Sequence, residues 1–365
     1  MSTRLKPARI LAVETSCDET ACAIVQDGRK ILASTVASQM DLHARYGGVF
    51  PEVASRQHVL SIVPVVESAL AEAHLTLPEV DALAVTCGPG LAGSLLVGAN
   101  LVKGLSLGSG LPMLAVNHLE GHIYSAWLDQ PDESSAAEPE FPLLALLVSG
   151  GHTELDLMTD HLTYTRLGAT IDDAAGEAFD KVARLLNLGY PGGPAIQRAA
   201  ESGQGDRFRF SRAWLEPTWD FSFSGLKTAV LYKVRELEAS GKALPIADLA
   251  ASFQSAVIDV LLAKTIKAAE AYGARSILLA GGVAANQPLR DALRARSSLP
   301  VHVPPIHLCT DNAAMIAAAG YFHLSLGQPA ALDLDVSPRL PLSSATVRPP
   351  GIEASPSAGP RAFKL

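Results

Sequence analysis

The sequence predicts an α/β protein built of two duplicated lobes around a cleft, and three observations carry that prediction. Residues 10–13 form an apolar strand that runs into the polar turn 14–20, followed by strands at 21–25 and 31–36 with Asp27-Gly28 as a hairpin signal between them. The same order recurs at 143–148, the small polar turn 149–153, and strands at 154–158 and 162–167. Apolar residues make up 48% of the chain and aromatics only 5%, which suits layered α/β packing better than a β-sandwich. Two such meanders, each followed by helices, predict two lobes of one design.

At 365 residues the chain is too long for one ordinary core and fits two packed domains. The expected division is a first lobe at 1–128 with 312–342 packing back on it, an acidic Pro-bearing junction at 129–140, a second lobe at 141–311, and a Ser/Pro/Arg-rich tail at 343–365 without periodic apolar residues. Cys17, Cys22, Cys87 and Cys309 form no CxxC pair, so reduced thiols in a cytoplasmic protein are expected. The basic start at 1–9 is followed by an apolar run that breaks at Glu14, and no apolar run approaches the roughly 20 residues of a membrane span. A net charge of −8 argues against a protein that coats nucleic acid by bulk electrostatics. It leaves room for a local basic groove, because phosphate contacts depend on where Lys and Arg lie.

In the first lobe, 47–52 is turn-rich and 59–73 has a helical pattern with Val65, Val66 and Leu70 on a buried face. A strand at 80–86 ends in Cys87-Gly88-Pro89-Gly90, and 95–105 reads as a helix. The strand at 113–116 leads to Asn117-His118-Leu119-Glu120-Gly121-His122, where Asn117 and Glu120 have the spacing of a capping box. A helix starting there puts His118 and His122 one turn apart on one face, where two imidazoles can grip one metal ion. Pairs at this spacing are also found as ordinary surface or core histidines. The strand-to-helix placement and a third candidate ligand, Asp311, in a similar setting favour the metal.

In the second lobe, Thr170-Ile171-Asp172-Asp173 caps a helix at 174–188 whose Glu177, Asp180, Lys181 and Arg184 share one side. That side reads either as a solvated charged face ended by the stop at 189–194, or as carboxylates beside a Gly-Gly turn that can hold ribose hydroxyls. A strand at 276–280 enters Gly281-Gly282 and a helix starts near Pro288, a unit that suits phosphate or the face of an adenine. Asp311 precedes a helix at 312–319 and could equally be its N-cap.

The strings ETSCDET, GGVFPEVASRQH, NHLEGH, VSGGHTEL, IDDAAGEAFDKVARLL, YPGGP, FSFSGLKT, AGGVAAN and CTDNAAM occur in this order. Together they closely resemble the tRNA N6-adenosine threonylcarbamoyltransferase family, bacterial branch, from about residue 10 to 342. The resemblance implies actin/hexokinase/Hsp70-like lobes and transfer of a threonylcarbamoyl group from threonylcarbamoyl-adenylate to the exocyclic amine of the adenosine beside the tRNA anticodon, in tRNAs reading codons that begin with adenine. It implies His118, His122 and Asp311 as ligands of a single metal, iron or zinc. It implies Leu147, Val148, Ser149, Gly150 and Gly151 as the phosphate-holding turn, Asp180 and Gly193 as ribose and nucleotide contacts, and Asn286 as a base-side contact. Glu14, Ser16, Asp18 and Glu19 fall in the first lobe's turn, with Asp18 and Glu19 as aids to catalysis. Partner proteins resembling TsaB, a degenerate paralogue, and TsaE, an ATPase, are implied, and Arg45, Arg56 and Lys227 are candidates for tRNA phosphate contacts.

Two rivals are weighed against this reading. A zincin metallopeptidase needs H-E-x-x-H, whereas here Glu lies two residues after the first His. A kinase-like ATP-binding protein of the same fold needs a carboxylate base and Mg-ATP but no two-histidine metal pair.

Overall fold

A computed structural model of the chain describes residues 7–129, 138–241 and 243–343. Most of the acidic junction and the tail, as read from the sequence, lie outside the described residues. The first sheet has the order β3-β2-β1-β4-β5, made of Arg9–Glu14 (β1), Glu19–Gln26 (β2), Lys30–Ser38 (β3), Ala82–Gly88 (β4) and Met113–Asn117 (β5). The second has the order β10-β9-β6-β7-β8, made of Leu143–Val148 (β6), Thr153–Asp160 (β7), Thr163–Ala169 (β8), Ser276–Ala280 (β9) and Val301–His302 (β10). Both consist of an antiparallel meander whose first strand is extended sideways by two parallel strands. The duplication legible in the two meanders therefore extends to all five strands.

The first meander turns at Asp27 and Gly28, which have φ of 57° and 68°. This is the pair of left-handed residues that a two-residue hairpin requires. A Cβ on Gly28 would also lie 2.6 Å from the Tyr321 ring, so glycine is needed here for space as well as for φ.

Helices α1 (Met40–Ala44), α2 (Pro51–Glu72), α3 (Ala92–Ser109) and α4 (His118–Tyr124) belong to the first half of the chain. The second half contributes α5 (Ala175–Leu185), α6 (Gly192–Ala200), α7 (Ser224–Ala239), α8 (Ile246–Ala271), α9 (Gln287–Arg296), α10 (Ile306–Cys309) and α11 (Ala313–Ser325). Helix α2 begins eight residues earlier than its apolar pattern indicates, because Pro51 at its first turn has the fixed φ and missing N–H that suit a helix start. Helix α8 is the one described helix long and apolar enough to cross a membrane, yet most of its residues are buried in the second lobe, as in a core helix.

Three apolar clusters order the layers. One lies on the α2 and α3 side of the first sheet and another under α5 to α8 on the second. The third joins Ile10 and Ala12 of β1, residues 313–319 of α11, Leu119 and Ile123 of α4, and Ala145 and Leu147 of β6. Helices α4 and α11 are thus sandwiched between the two sheets. Gly121 permits that packing, since a Cβ there would lie 2.6 Å from Ile316 Cδ1. One turn of α4 and the N-terminus of α11 consequently meet at the strand ends, where the site lies.

Candidate metal centre and adjoining cleft

Asn117 ends β5 and caps α4, its Oδ1 accepting from Leu119 N at 2.9 Å. The capping-box partner expected at Glu120 does not form. Glu120 instead accepts from His323 Nε2 of α11 at 2.6 Å, because α4 is buried and its third residue faces the neighbouring helix. At α11 the N-cap is Asn312, whose Oδ1 accepts from Met315 N at 3.0 Å. A cap of this kind contributes about 1 kcal/mol and requires one residue. Asp311 is therefore released from the capping role that its sequence position allowed.

The released carboxylate meets the histidine pair. Asp311 Oδ1 lies 3.5 Å from His118 Nε2 and 3.3 Å from His122 Nε2. One donor atom from each of the three residues falls within 4.8 Å of the others. Neither ring nitrogen of His122 has a hydrogen-bond partner, although the side chain is buried. A buried imidazole without partners is costly unless something binds it, and a cation inside this N, N, O set would do so. These donors suit iron or zinc better than calcium or magnesium, which prefer oxygen ligands.

Behind the ligands stands Glu14, fully buried at the end of β1. Its Oε2 lies 3.1 Å from His118 Nδ1 and accepts from Thr86 Oγ1 at 2.6 Å. The Nδ1 proton is thereby directed to Glu14, which leaves Nε2 to face Asp311. Burial alone would push His118 down, but the carboxylates of Asp311 and Glu14 outweigh it and hold the metal-free ring at about 9. Burial pushes His122 down, and the charge on His118 adds to this. The two histidines hold Asp311 well below the usual carboxylate range in spite of its burial. His122 and Asp311 are thus in their ligand forms before any metal arrives.

The glycine turn after β6 leads from this centre to a cavity of about 330 Å³, whose lining includes Gly150, Asp180, Gly193 and Asn286. Ser149 N donates to His152 O at 2.8 Å and Ser149 Oγ accepts from His152 N at 3.1 Å, which closes the turn. Cβ atoms added at Gly150, Gly151, Gly193 or Gly282 would meet nothing within 4 Å, so a ligand can approach the backbone there. Gly281 has the opposite role: at φ of 91° its Cβ would lie 2.6 Å from Val148 O, and only glycine brings β9 this close to β6.

Not every expected contact faces the cavity. Leu147 and Val148 are buried strand residues whose side chains fill two of the apolar clusters, and they add no side chain to its lining. Asn286 lines it, but its amide is bonded at both ends, Oδ1 accepting from Leu289 N at 3.0 Å and Nδ2 donating to Gln254 Oε1 at 2.8 Å. Asp180 accepts from Gly192 N at 2.7 Å through one oxygen, which leaves the other for a ligand. Phe179, Gln197, Arg198, Val283 and Ile306 also line the cavity without having been singled out in the sequence. Gln197 and Arg198 follow the Gly192-Gly193 turn within one helix, and that adjacency was the signal available.

The charged side of α5 divides between the two readings. Lys181 bridges Glu177 and Asp173 at 2.8 Å each. An exposed i,i+4 pair contributes only about 0.3–0.5 kcal/mol, which does not account for Asp180 facing the cavity. The expected cap by residues 170–173 is absent. Ala174 occupies the N-cap without a side-chain bond, while Asp172 accepts from Ser222 and Ser224 and Asp173 pairs with Lys181 and Lys227. Lys227 is thereby engaged at 3.4 Å, whereas Arg45 and Arg56 are exposed and make no ion pair among the described residues.

Asp18 lies in the β1–β2 turn, whereas Glu19, expected in that turn, opens β2 and pairs with Ser38 of β3. Burial raises both carboxyls, Glu19 to about 7 against a hydrogen bond from Ser38 Oγ at 2.8 Å.

Comparison with known proteins settles the family. The family model for tRNA N6-adenosine threonylcarbamoyltransferase matches residues 30–318. This chain belongs to that family. A tRNA N6-adenosine threonylcarbamoyltransferase of Thermomicrobium roseum is 56% identical over 357 residues, covering 93% of this chain and 98% of the relative. One of Dehalococcoides mccartyi is 55% identical over 336 residues, covering 92% and 100%. Among solved structures, full-length HypF in a phosphate- and nucleotide-bound form aligns with a TM-score of 0.60 at 12% identity, over 91% of this chain and 48% of that one. HypF of T. kodakarensis gives 0.59 at 15%, over 91% and 50%. At such identities the likeness is one of fold, and it bears out the two actin/hexokinase/Hsp70-like lobes.

Proposed function

We propose that this member of the family transfers a threonylcarbamoyl group from threonylcarbamoyl-adenylate to the N6 amine of the adenosine beside the anticodon in tRNAs reading codons that begin with adenine. The observation that carries the reading is the meeting of His118, His122 and Asp311, backed by Glu14, beside a glycine-lined cavity of nucleotide size. The adenylate part takes the cavity, with its phosphate along Ser149, Gly150 and Gly151, its ribose at Asp180 and Gly193, and its base toward Asn286. A divalent metal held by the three ligands, iron first and zinc as the alternative, supplies Lewis-acid polarisation of a carbonyl oxygen.

The residues of the chain position and orient. The amine nitrogen bonds to the carbamoyl carbon as the bond to the phosphate oxygen breaks, AMP leaves, and the amine proton passes to a base in the cleft. Glu19, titrating near 7, is the candidate base, with Asp18 beside it. No enzyme nucleophile is required, because the donor is an activated mixed anhydride. Ser16 Oγ does approach His118, at 3.2 Å, but it does so at Nδ1, the nitrogen that Glu14 also engages. A Ser-His-acid relay needs the serine and the acid on opposite ring nitrogens, so Ser16 is not activated as a nucleophile.

The peptidase rival fails on geometry as well as on spacing. Glu120, the only Glu of α4, is bound to His323 on the far helix and cannot serve a water at the metal ligands. On the same reading the chain acts in the cytoplasm with partners resembling TsaB and TsaE, and it divides into lobes at 1–128 with 312–342 and at 141–311. Nucleoside analysis of tRNA from cells depleted of the protein tests the proposal. Loss of N6-threonylcarbamoyladenosine supports it, and an unchanged level contradicts it.

A further inference from the structure

A second cavity, of about 220 Å³, lies in the second lobe and shares no lining residue with the cleft. Its walls include Trp214, Glu216, Pro217 and Trp219 from the segment between α6 and α7, and Lys264 and Lys267 from α8. The segment is anchored rather than loose. Phe221 N donates to Ala169 O of β8 at 3.0 Å, and a Cβ on Gly168 would lie 2.5 Å from Trp219 O.

Cationic and aromatic side chains line this cavity. Lys264 is 4% exposed. Its Nζ donates to Thr218 O at 2.8 Å and stands 5.9 Å from the Phe221 ring centre, with no carboxylate at ion-pair distance among the described residues. Trp219 Nε1 is buried without a partner. Lys264 has Asp220 and Glu216 near enough to favour its charge but neither within ion-pair distance, so a buried ammonium with a single carbonyl acceptor keeps a desolvation cost that an acceptor-rich ligand would relieve. At the rim, Lys267 reaches Glu216 at 3.6 Å with both side chains largely exposed, a contact worth little and easily exchanged for a phosphate. Trp214 lines the cavity while remaining 42% exposed, so an aromatic surface is open to solvent.

The volume falls below the roughly 300–1,000 Å³ of small-molecule sites. It therefore has room for part of a ligand, of the size of one ring, and leaves the rest outside. Single-stranded RNA is recognised in this way, by bases splayed onto aromatic side chains with cations along the backbone. We propose that this cavity seats one nucleobase of an RNA strand, stacked on Trp214, with an acceptor on Lys264 and a flanking phosphate at Lys267. The inference rests on tRNA being the substrate, and it adds a contact to tRNA separate from the reacting adenosine.

Binding of unmodified tRNA and of free AMP is measured for the wild type, Trp214→Ala, Trp214→Phe and Lys267→Met, with threonylcarbamoyl transfer at saturating tRNA measured on the same preparations. Trp214→Ala weakens tRNA binding roughly 5- to 150-fold, Trp214→Phe restores most of it, and transfer at saturating tRNA and AMP affinity stay at wild-type values. Lys267→Met lowers the slope of log affinity against log salt by about one. Wild-type tRNA affinity in both Trp214→Ala and Lys267→Met, while the wild type modifies tRNA, overturns the proposal. A loss confined to AMP overturns the RNA assignment in favour of a free nucleotide. A wild type that neither binds nor modifies tRNA overturns the functional reading and this inference with it.

Discussion

Glu14 and His118, 104 residues apart in the chain, are joined by a 3.1 Å contact between a carboxylate oxygen and Nδ1. This contact sets the tautomer of His118 in the candidate metal centre, and Thr86 holds the carboxylate in turn. Removing such a partner costs about 10- to 100-fold in metal affinity. Glu14→Gln, which keeps the shape and loses the charge, is expected to show that loss in a competition titration against a chelator. Unchanged affinity would show that Glu14 does not orient His118.

His122 is the ligand with no other bond to make. His122→Ala is expected to abolish stoichiometric metal in freshly purified protein while thermal unfolding stays cooperative, because neither ring nitrogen makes a hydrogen bond that the fold would lose. Full metal content in the variant would remove His122 from the ligand set.

Two glycines of the cleft separate binding from folding. Gly150→Val projects into open space, so it is expected to raise KM for the adenylate donor several-fold with little change in Tm. Gly176→Ala would place Cβ 2.5 Å from Ser149 O, and it is expected to cost about 1–3 kcal/mol in stability. A Gly150→Val enzyme with unaltered KM would place the donor elsewhere.

Glu19 gives a pH dependence of defined sign. Burial raises its carboxyl to about 7 from the 4.5 of an unperturbed Glu, so the native state holds a proton that the unfolded state has released across this window. Stability therefore falls as pH rises from about 4.5 to 7 through this group. Glu19→Gln is expected to flatten that part of the Tm profile, and an identical profile in the variant would contradict the buried, protonated carboxyl.

The sequence carried most of the fold because both meanders have short apolar strands with explicit turn signals, of which Asp27-Gly28 is the plainest. The histidine pair of the candidate metal centre was legible because two histidines at i and i+4 need only a helix to bring them together. What escaped was decided by packing between distant elements. Glu120 has the spacing of a capping partner, and only the burial of α4 against α11 turns it toward His323. Asp311 and Asn312 are both good caps, and the choice of Asn312 is visible only in the bond to Met315 N. Thr170 to Asp173 look like a helix start, yet Asp172 is drawn to Ser222 and Ser224, fifty residues downstream. Phe179 and Arg198 reach the cavity from α5 and α6, whose relative placement no local pattern encodes.

The central claim is a metal-assisted transfer to tRNA without a covalent enzyme intermediate. Its most direct test supplies the purified protein with threonylcarbamoyl-adenylate, unmodified tRNA and the TsaB-like and TsaE-like partners, and follows nucleoside product, AMP and protein mass together. The result expected is N6-threonylcarbamoyladenosine and AMP in equal amounts, an unmodified protein mass throughout, and loss of most turnover in Asp311→Ala. A threonylcarbamoylated protein on the path to product, or full turnover in Asp311→Ala, would contradict it.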